Sequence, residues 1–379
     1  MNYRLFTSES VCAGHPDKIC DQISDAILDA VYQQDPYGRV AVETLVTRNQ
    51  TVLAGEVTTA AQVDFAAVAR QVIRDLGYTD PVYDFTDQCE MLVRIQRQSP
   101  DIAQGVDQGG AGDQGMMFGY AARETPELMP LPITLAHRLA ERLDQVRVER
   151  VLDYLRPDGK TQVTVAYEQG RPVAVTKVVL AVPHHPDIDN ATLHQALYTH
   201  VVCPVLARYG YQVAPEALIV NGTGRWTIGG PASDTGVTGR KIVVDGYGGM
   251  ARVGGGCFSG KDPTKVDRSA AYAARFLAKN IVAAGLADRC EVQLAYVIGH
   301  PGPVARAIET FGTQRAPLPE IEEFAWGLLD LTVRGIIEGL NLRQPIYRRT
   351  ACYGHFGRAG FPWEQVVVGA TVPESASAR

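Results

Sequence analysis

The chain has 379 residues, 46% of them hydrophobic and 21% charged, and a formal net charge of −6. These values belong to a globular protein large enough for two or three domains, and they exclude a general nucleic-acid binder while leaving room for a local basic pocket. No apolar run approaches the roughly 20 residues of a membrane span, and the opening residues lack a signal-peptide pattern, so the expectation is a cytoplasmic protein without membrane contact.

A helix is predicted first, with Ile19, Ile23, Ile27, Ala30 and Val31 on one stripe. Strand-like runs follow at 40–47 and 52–59, then a helix at 63–76 stopped by Gly77. The order repeats as a helix at 134–147, strands at 162–167 and 173–182 around a Gln169-Gly170-Arg171 turn, and a helix at 188–209. It repeats again as a helix at 266–284, strands at 290–298 and 304–311, and a helix at 319–332. The expected class is α+β: three similar units, each a mostly antiparallel sheet covered by helices, at 1–102, 103–229 and 230–379. Irregular segments at 98–118 and 221–256 separate the copies. Segments this long are usually lids or binding elements.

Residues 252–268 hold three consecutive glycines followed by Lys261, Lys265 and Arg268, with Asp262 and Asp267 among them. Bare backbone and positive charge suit a polyphosphate, and carboxylates suit its metal ions. Gly255-x4-Gly260-Lys261 meets most of the P-loop pattern. Asp262 and Pro263 then stand where a Ser or Thr hydroxyl would hold magnesium, so a phosphate loop of another kind is expected.

The segment Gly14-His15-Pro16-Asp17-Lys18 opens the first helix with Pro at an N-terminal position, where free N–H groups favour anions. Capping alone would explain it singly. A matching start at Pro263, Lys265 and Asp267 suggests two halves of one site, with Asp17 and Asp267 each bringing a metal ion. Arg240, Lys241, Lys261, Lys265 and Arg268 exceed any capping need and imply a multiply charged ligand. Glu43 and Glu56 interrupt otherwise neutral strands, and Arg225-Trp226 sets a cation beside an aromatic face. His184, His185, His300 and His355 read as surface or capping residues.

The seven cysteines are scattered, with no Cys-x-x-Cys pair, which reads as a reducing compartment without a zinc site. No nucleophile constellation is visible, as expected if one substrate attacks another directly.

Five motifs are similar to the signatures of bacterial S-adenosylmethionine synthetases. They are Gly14-His15-Pro16-Asp17-Lys18, the 110–115 Gly-rich segment, Gly239-Arg240-Lys241-Ile242, 254–263, and Tyr353-Gly354-His355-Phe356-Gly357-Arg358. The resemblance runs from Phe6 to about Trp363. It implies S-adenosylmethionine synthesis from ATP and L-methionine, with sulfur attacking ribose C5′, loss of triphosphate, and hydrolysis of that triphosphate to pyrophosphate and phosphate. It also implies two Mg2+ and one K+, pseudo-threefold symmetry of three α+β domains, and a homodimer or homotetramer with sites between subunits.

By the same resemblance, His15, Arg240, Lys261 and Lys265 are catalytic. His15, Asp158, Lys160, Arg225, Trp226, Asp234, Arg240, Lys241, Cys257 and Lys261 bind ATP, with Trp226 stacking on adenine. Glu56, Gln98, Asp113, Asp234 and Lys265 bind methionine. Asp17 and Asp267 hold Mg2+, and Glu43 holds K+. The chain departs from the pattern at Cys12, Ala13, a shortened 105–113 loop, Gly222 and Trp226, which puts lid behaviour and pocket width in question. A kinase-like or ATPase activity, which would leave ADP, and a weakened nucleotide-binding paralogue are the alternatives.

Overall fold

The computed structural model describes residues 3–97 and 109–367. Three sheets are built on one plan. Each centres on a hairpin: β2 (Arg39–Thr47) with β3 (Gln50–Thr58), β6 (Lys160–Glu168) with β7 (Arg171–Ala181), and β10 (Arg289–Tyr296) with β11 (Ala305–Glu309). The β6–β7 turn has positive φ at both Gln169 and Gly170, the backbone that a tight hairpin twist requires.

The first strand of each hairpin pairs antiparallel with a strand from elsewhere in the chain. β1 (Arg4–Val11) joins β6, β5 (Gly115–Ala122) joins β10, and β9 (Gly236–Val237) joins β2. The exchange is cyclic: the first segment supplies the second sheet, the second supplies the third, and the third returns to the first. β4 (Glu90–Gln96) and β8 (Leu218–Val220) add parallel edges to β3 and β7.

One long helix covers each sheet: α1 (Pro16–Tyr32), α3 (Leu131–Val148) and α7 (Val266–Ala283). α1 buries Ile19, Ile23, Ile27 and Val31, the expected stripe. Shorter helices are α2 (Phe65–Asp75), α4 (Asn190–Leu197), α5 (Cys203–Arg208), α6 (Ile242–Asp245), α8 (Leu318–Gly327) and α9 (Val333–Gly339). The hydrophobic interior has two bodies. One is shared by the first and third units and contains both α1 and α7; the other belongs to the central unit. The starts of α1 and α7 therefore sit on a common core.

Several expectations need correction. The helix expected at 188–209 is split by a π-helical turn, Tyr198–Val202. Pro204 lacks an N–H and its ring crowds the carbonyl four residues back, so Cys203 N–H bonds instead to Tyr198 O. The helix expected at 319–332 ends at Gly327, and α9 starts anew with Thr332 as its cap. His355 is fully buried rather than superficial: its Nδ1 lies 2.8 Å from Tyr272 Oη. His184 is likewise buried.

Candidate active site

α1 and α7 start the same way. Asp17 and Asp267 each occupy the second helical position, where the free N–H groups favour negative charge. The equivalent helix α3 starts Leu131-Pro132-Ile133, with no acid in its first turn, so the central unit lacks this feature.

Each aspartate is paired with a lysine. Lys241 Nζ is 2.5 Å from Asp17 Oδ2, and Lys261 Nζ is 2.6 Å from Asp267 Oδ2. Arg240 Nε lies 3.6 Å from Asp17 Oδ1, which also accepts Val237 N–H at 3.0 Å. Burial opposes the charge of Asp17, but Lys241 and the Val237 amide hold its carboxyl below the ordinary carboxylate value. Three cations thus face two carboxylates.

Two clefts meet at Lys261 and Cys257. The larger, 620 Å³, is lined by Asp113, Gly239, Gly256, Lys261 and Asp267. The smaller, 270 Å³, holds Glu43 and Glu56. A Cβ at Gly256 would sit 2.0 Å from Asp267 Cγ, so any side chain there would displace that carboxylate.

His15 caps α1, its Nδ1 accepting Asp17 N–H at 3.2 Å. That bond leaves the proton of the neutral ring on Nε2. Burial, then the Lys241 ammonium, pull the His15 pKa to about 3, so the ring is neutral at pH 7. Asp158 is buried and accepts Gly159 N–H and Gly230 N–H, and burial pushes it up to about 6. Lys160 and Asp234 are exposed and close enough to Asp158 to act on its charge. Arg225 is exposed, and Trp226 is half-buried with Nε1–H on Ile228 O; neither lines the two clefts. Gln98 and residues 105–108 of the expected lid lie outside the described residues.

Two more of the bases, Arg268 and Lys265, have buried carboxylate partners of their own. Arg268 is fully buried in a bidentate pair with Asp25, at 2.6 and 2.9 Å, and lies over the Tyr347 ring. Lys265 bonds the buried Asp262, which also accepts Val40 N–H at 2.7 Å.

Beyond Asp17, three aspartates of α1, Asp21, Asp25 and Asp29, went unnoticed in the sequence. Asp17, Asp21, Asp25 and Asp29 recur every four residues and so share one helix stripe. Each accepts a backbone amide from the C-terminal third: Val237, Gly239 at 2.8 Å, Gly260 at 2.8 Å, and for Asp29 both Tyr347 and Arg348. The stripe therefore fixes the loop bearing Arg240 and Lys241 and the loop bearing Lys261. Like charges at this spacing repel, so four in a row beside an apolar stripe was the available signal. Lys18, in the motif that opens α1, faces neither solvent nor an anion site. It is buried between Asp21 and Asp245, which raise its pKa against the cost of burial.

Three family models cover nearly the whole chain: the S-adenosylmethionine synthetase N-terminal domain at 3–100, central domain at 108–226, and C-terminal domain at 228–365. This chain belongs to the S-adenosylmethionine synthetase family. A similar protein is the S-adenosylmethionine synthase of Desulforudis audaxviator (strain MP104C), 55% identical over an alignment of 383 positions that covers 97% of each chain. Membership accords with the α+β architecture of three units described above. No helix among the described residues is long and apolar enough to cross a membrane.

The residues present fit the metals that the family implies. No cluster of three or more His, Cys, Asp or Glu ligands occurs among the described residues. Mg2+ ordinarily takes only one or two carboxylates beside substrate phosphates and water. Asp17 and Asp267, each already paired with a cation, offer that.

Proposed function

We propose that this chain makes S-adenosylmethionine from ATP and L-methionine, in the cytoplasm, as a homodimer or homotetramer with its sites between subunits. A lone pair of the methionine sulfur attacks ribose C5′. The C5′–O bond breaks, and triphosphate departs with the bonding pair. No proton has to move, which agrees with the absence of a nucleophile–base pair in the sequence. Water then cleaves the triphosphate to pyrophosphate and phosphate before release.

The observation that carries this reading is the pairing of Lys241 with Asp17 at the start of α1 and of Lys261 with Asp267 at the start of α7, the second pair on the wall of the larger cleft. An arriving triphosphate takes over the lysines, and the freed carboxylates are left to hold cations. Asp17 and Asp267 would hold two Mg2+ and Glu43 one K+, which when bound would supply fixed positive charge to the leaving group. Arg240, Lys241 and Lys261 bind the phosphate oxygens, and charge that is fixed before reaction stabilises them without reorganisation. The neutral His15 donates its Nε2–H to the departing oxygen. Lys265, Glu56, Gln98, Asp113 and Asp234 receive methionine. Asp158, Lys160, Arg225, Trp226 and Cys257 receive the nucleoside end of ATP. The units divide at 1–102, 103–229 and 230–379.

The test is mass spectrometry after incubation with ATP, methionine, Mg2+ and K+. S-adenosylmethionine with pyrophosphate and phosphate is expected; ADP in their place contradicts the proposal.

A further inference from the structure

We propose that the cleft between the β6–β7 turn and the start of β10 is a second anion site, built for a small molecule bearing phosphate groups. It has a volume of 500 Å³, within the range of small-molecule sites, and lies at the junction of the central and C-terminal units. Four arginines line it: Arg123 just after β5, Arg171 opening β7, Arg289 opening β10, and Arg315 after β11. The chain brings them together from four separate positions.

Only two carboxylates face this group, and both are already engaged. Asp288 Oδ1 is shared by Arg315 Nη2 at 2.6 Å and Arg123 Nε at 3.5 Å. Glu124 Oε2 is turned inward, accepting Tyr167 Oη–H at 2.7 Å and Leu131 N–H at 3.0 Å. Arg171 and Arg289 have no carboxylate within ion-pair distance among the described residues. Arg289 is half-buried and lies over the Phe311 ring, 5.5 Å from its centroid. Gly170, at the hairpin tip, leaves the mouth open: a Cβ there would stop 3.8 Å from Arg289 Nη2.

Guanidinium groups offer paired N–H donors that match phosphate oxygens, and they remain charged at any ordinary pH. Two guanidiniums without carboxylate partners, beside two that share one aspartate, leave the cleft short of negative charge. A ligand with two or more phosphate charges supplies it and ties the two units together.

The test is calorimetric titration of the whole protein with inorganic tripolyphosphate at low salt. The wild-type chain is expected to bind two per subunit, one at each cation cluster. Arg171→Ala/Arg289→Ala should lose the second site, its affinity falling at least about tenfold, since two charged contacts are removed. It should keep the first site and its S-adenosylmethionine-forming activity. Lys241→Ala/Lys261→Ala should show the reverse, so failure of the catalytic reading and failure of this one give different patterns. Arg171→Gln alone, at an exposed hairpin position, guards against misfolding of the double variant; it should weaken the second site while leaving the melting midpoint unchanged. A two-site isotherm that survives Arg171→Ala/Arg289→Ala overturns the proposal. So does a cleft that takes citrate but not tripolyphosphate.

Discussion

Asp17 and Lys241 are 224 positions apart in sequence, yet Lys241 Nζ lies 2.5 Å from Asp17 Oδ2. The pair is nearly closed to water on the aspartate side, where only 2% of the side chain is exposed. It joins the start of the first unit's helix to a loop of the third unit. The cyclic strand exchange makes this possible, because β9, four residues ahead of Lys241, is a strand of the first sheet.

Removing one lysine of the cluster should expose the catalytic role of fixed charge. Lys261→Ala is expected to lower kcat by about 10²–10³, the usual effect of losing one contact to a developing anion. Its circular dichroism and melting midpoint should stay near wild type, because Lys261 lies at a cleft wall rather than in the core. Turnover within a few-fold of wild type would remove Lys261 from the leaving-group site.

Gly256→Ala tests the close approach at Asp267. The new methyl group cannot coexist with a carboxylate carbon 2.0 Å away, so Asp267 must move. If Asp267 holds Mg2+ as proposed, displacing it should raise the Mg2+ concentration for half-maximal rate by about 10–100-fold, the range found when a metal site's supporting geometry is disturbed. An unchanged Mg2+ requirement would place the metal elsewhere.

The aspartate stripe of α1 offers a test of positioning. Asp21 accepts Gly239 N–H, next to Arg240. Asp21→Ala is expected to reduce kcat several-fold more than it changes KM for methionine, because the loop that carries Arg240 and Lys241 loses its acceptor for Gly239 N–H. Equal changes in kcat and KM would argue against a specific effect on the cations.

Asp158 gives a pH signature. Burial raises its folded-state pKa from 3.8 to about 6. The folded chain therefore holds this proton more tightly than the unfolded chain. The associated stability is fully present below pH 3.8 and is lost as pH rises through about 6. Asp158→Asn cannot titrate. Measured by urea midpoint, its stability relative to wild type should improve between pH 4 and pH 7. A flat difference over that interval would mean that Asp158 has an ordinary pKa.

Much of this was legible in the sequence because it rests on periodicity. The Ile19–Ile23–Ile27 stripe, the strand-like runs at 40–47 and 52–59, and the Gln169-Gly170-Arg171 turn mark α1 and two hairpins. The exchanged strands were invisible for a physical reason. β1 turns Ser8 and Ser10 inward, where they bond Gly248 O and His137 Nδ1, so no apolar alternation appears. β5 opens on Gly115 and β9 is two residues long.

Charge was harder to read than shape. Arg268 and Arg240 look alike in sequence. Only packing reveals that Arg268 is fully buried against Asp25, while 51% of the Arg240 side chain is exposed beside the cleft. A buried cation needs a buried anion, and the partner lay 243 positions away. The four-residue spacing of the α1 aspartates was the local hint.

The most direct measurement is the initial rate of S-adenosylmethionine formation by Asp17→Asn/Asp267→Asn at saturating ATP and methionine. If fixed charge held by these two carboxylates makes triphosphate a leaving group, the rate falls by at least about 10³ while the fold persists, two such contacts being lost. A double variant that matches the wild-type rate would contradict that account.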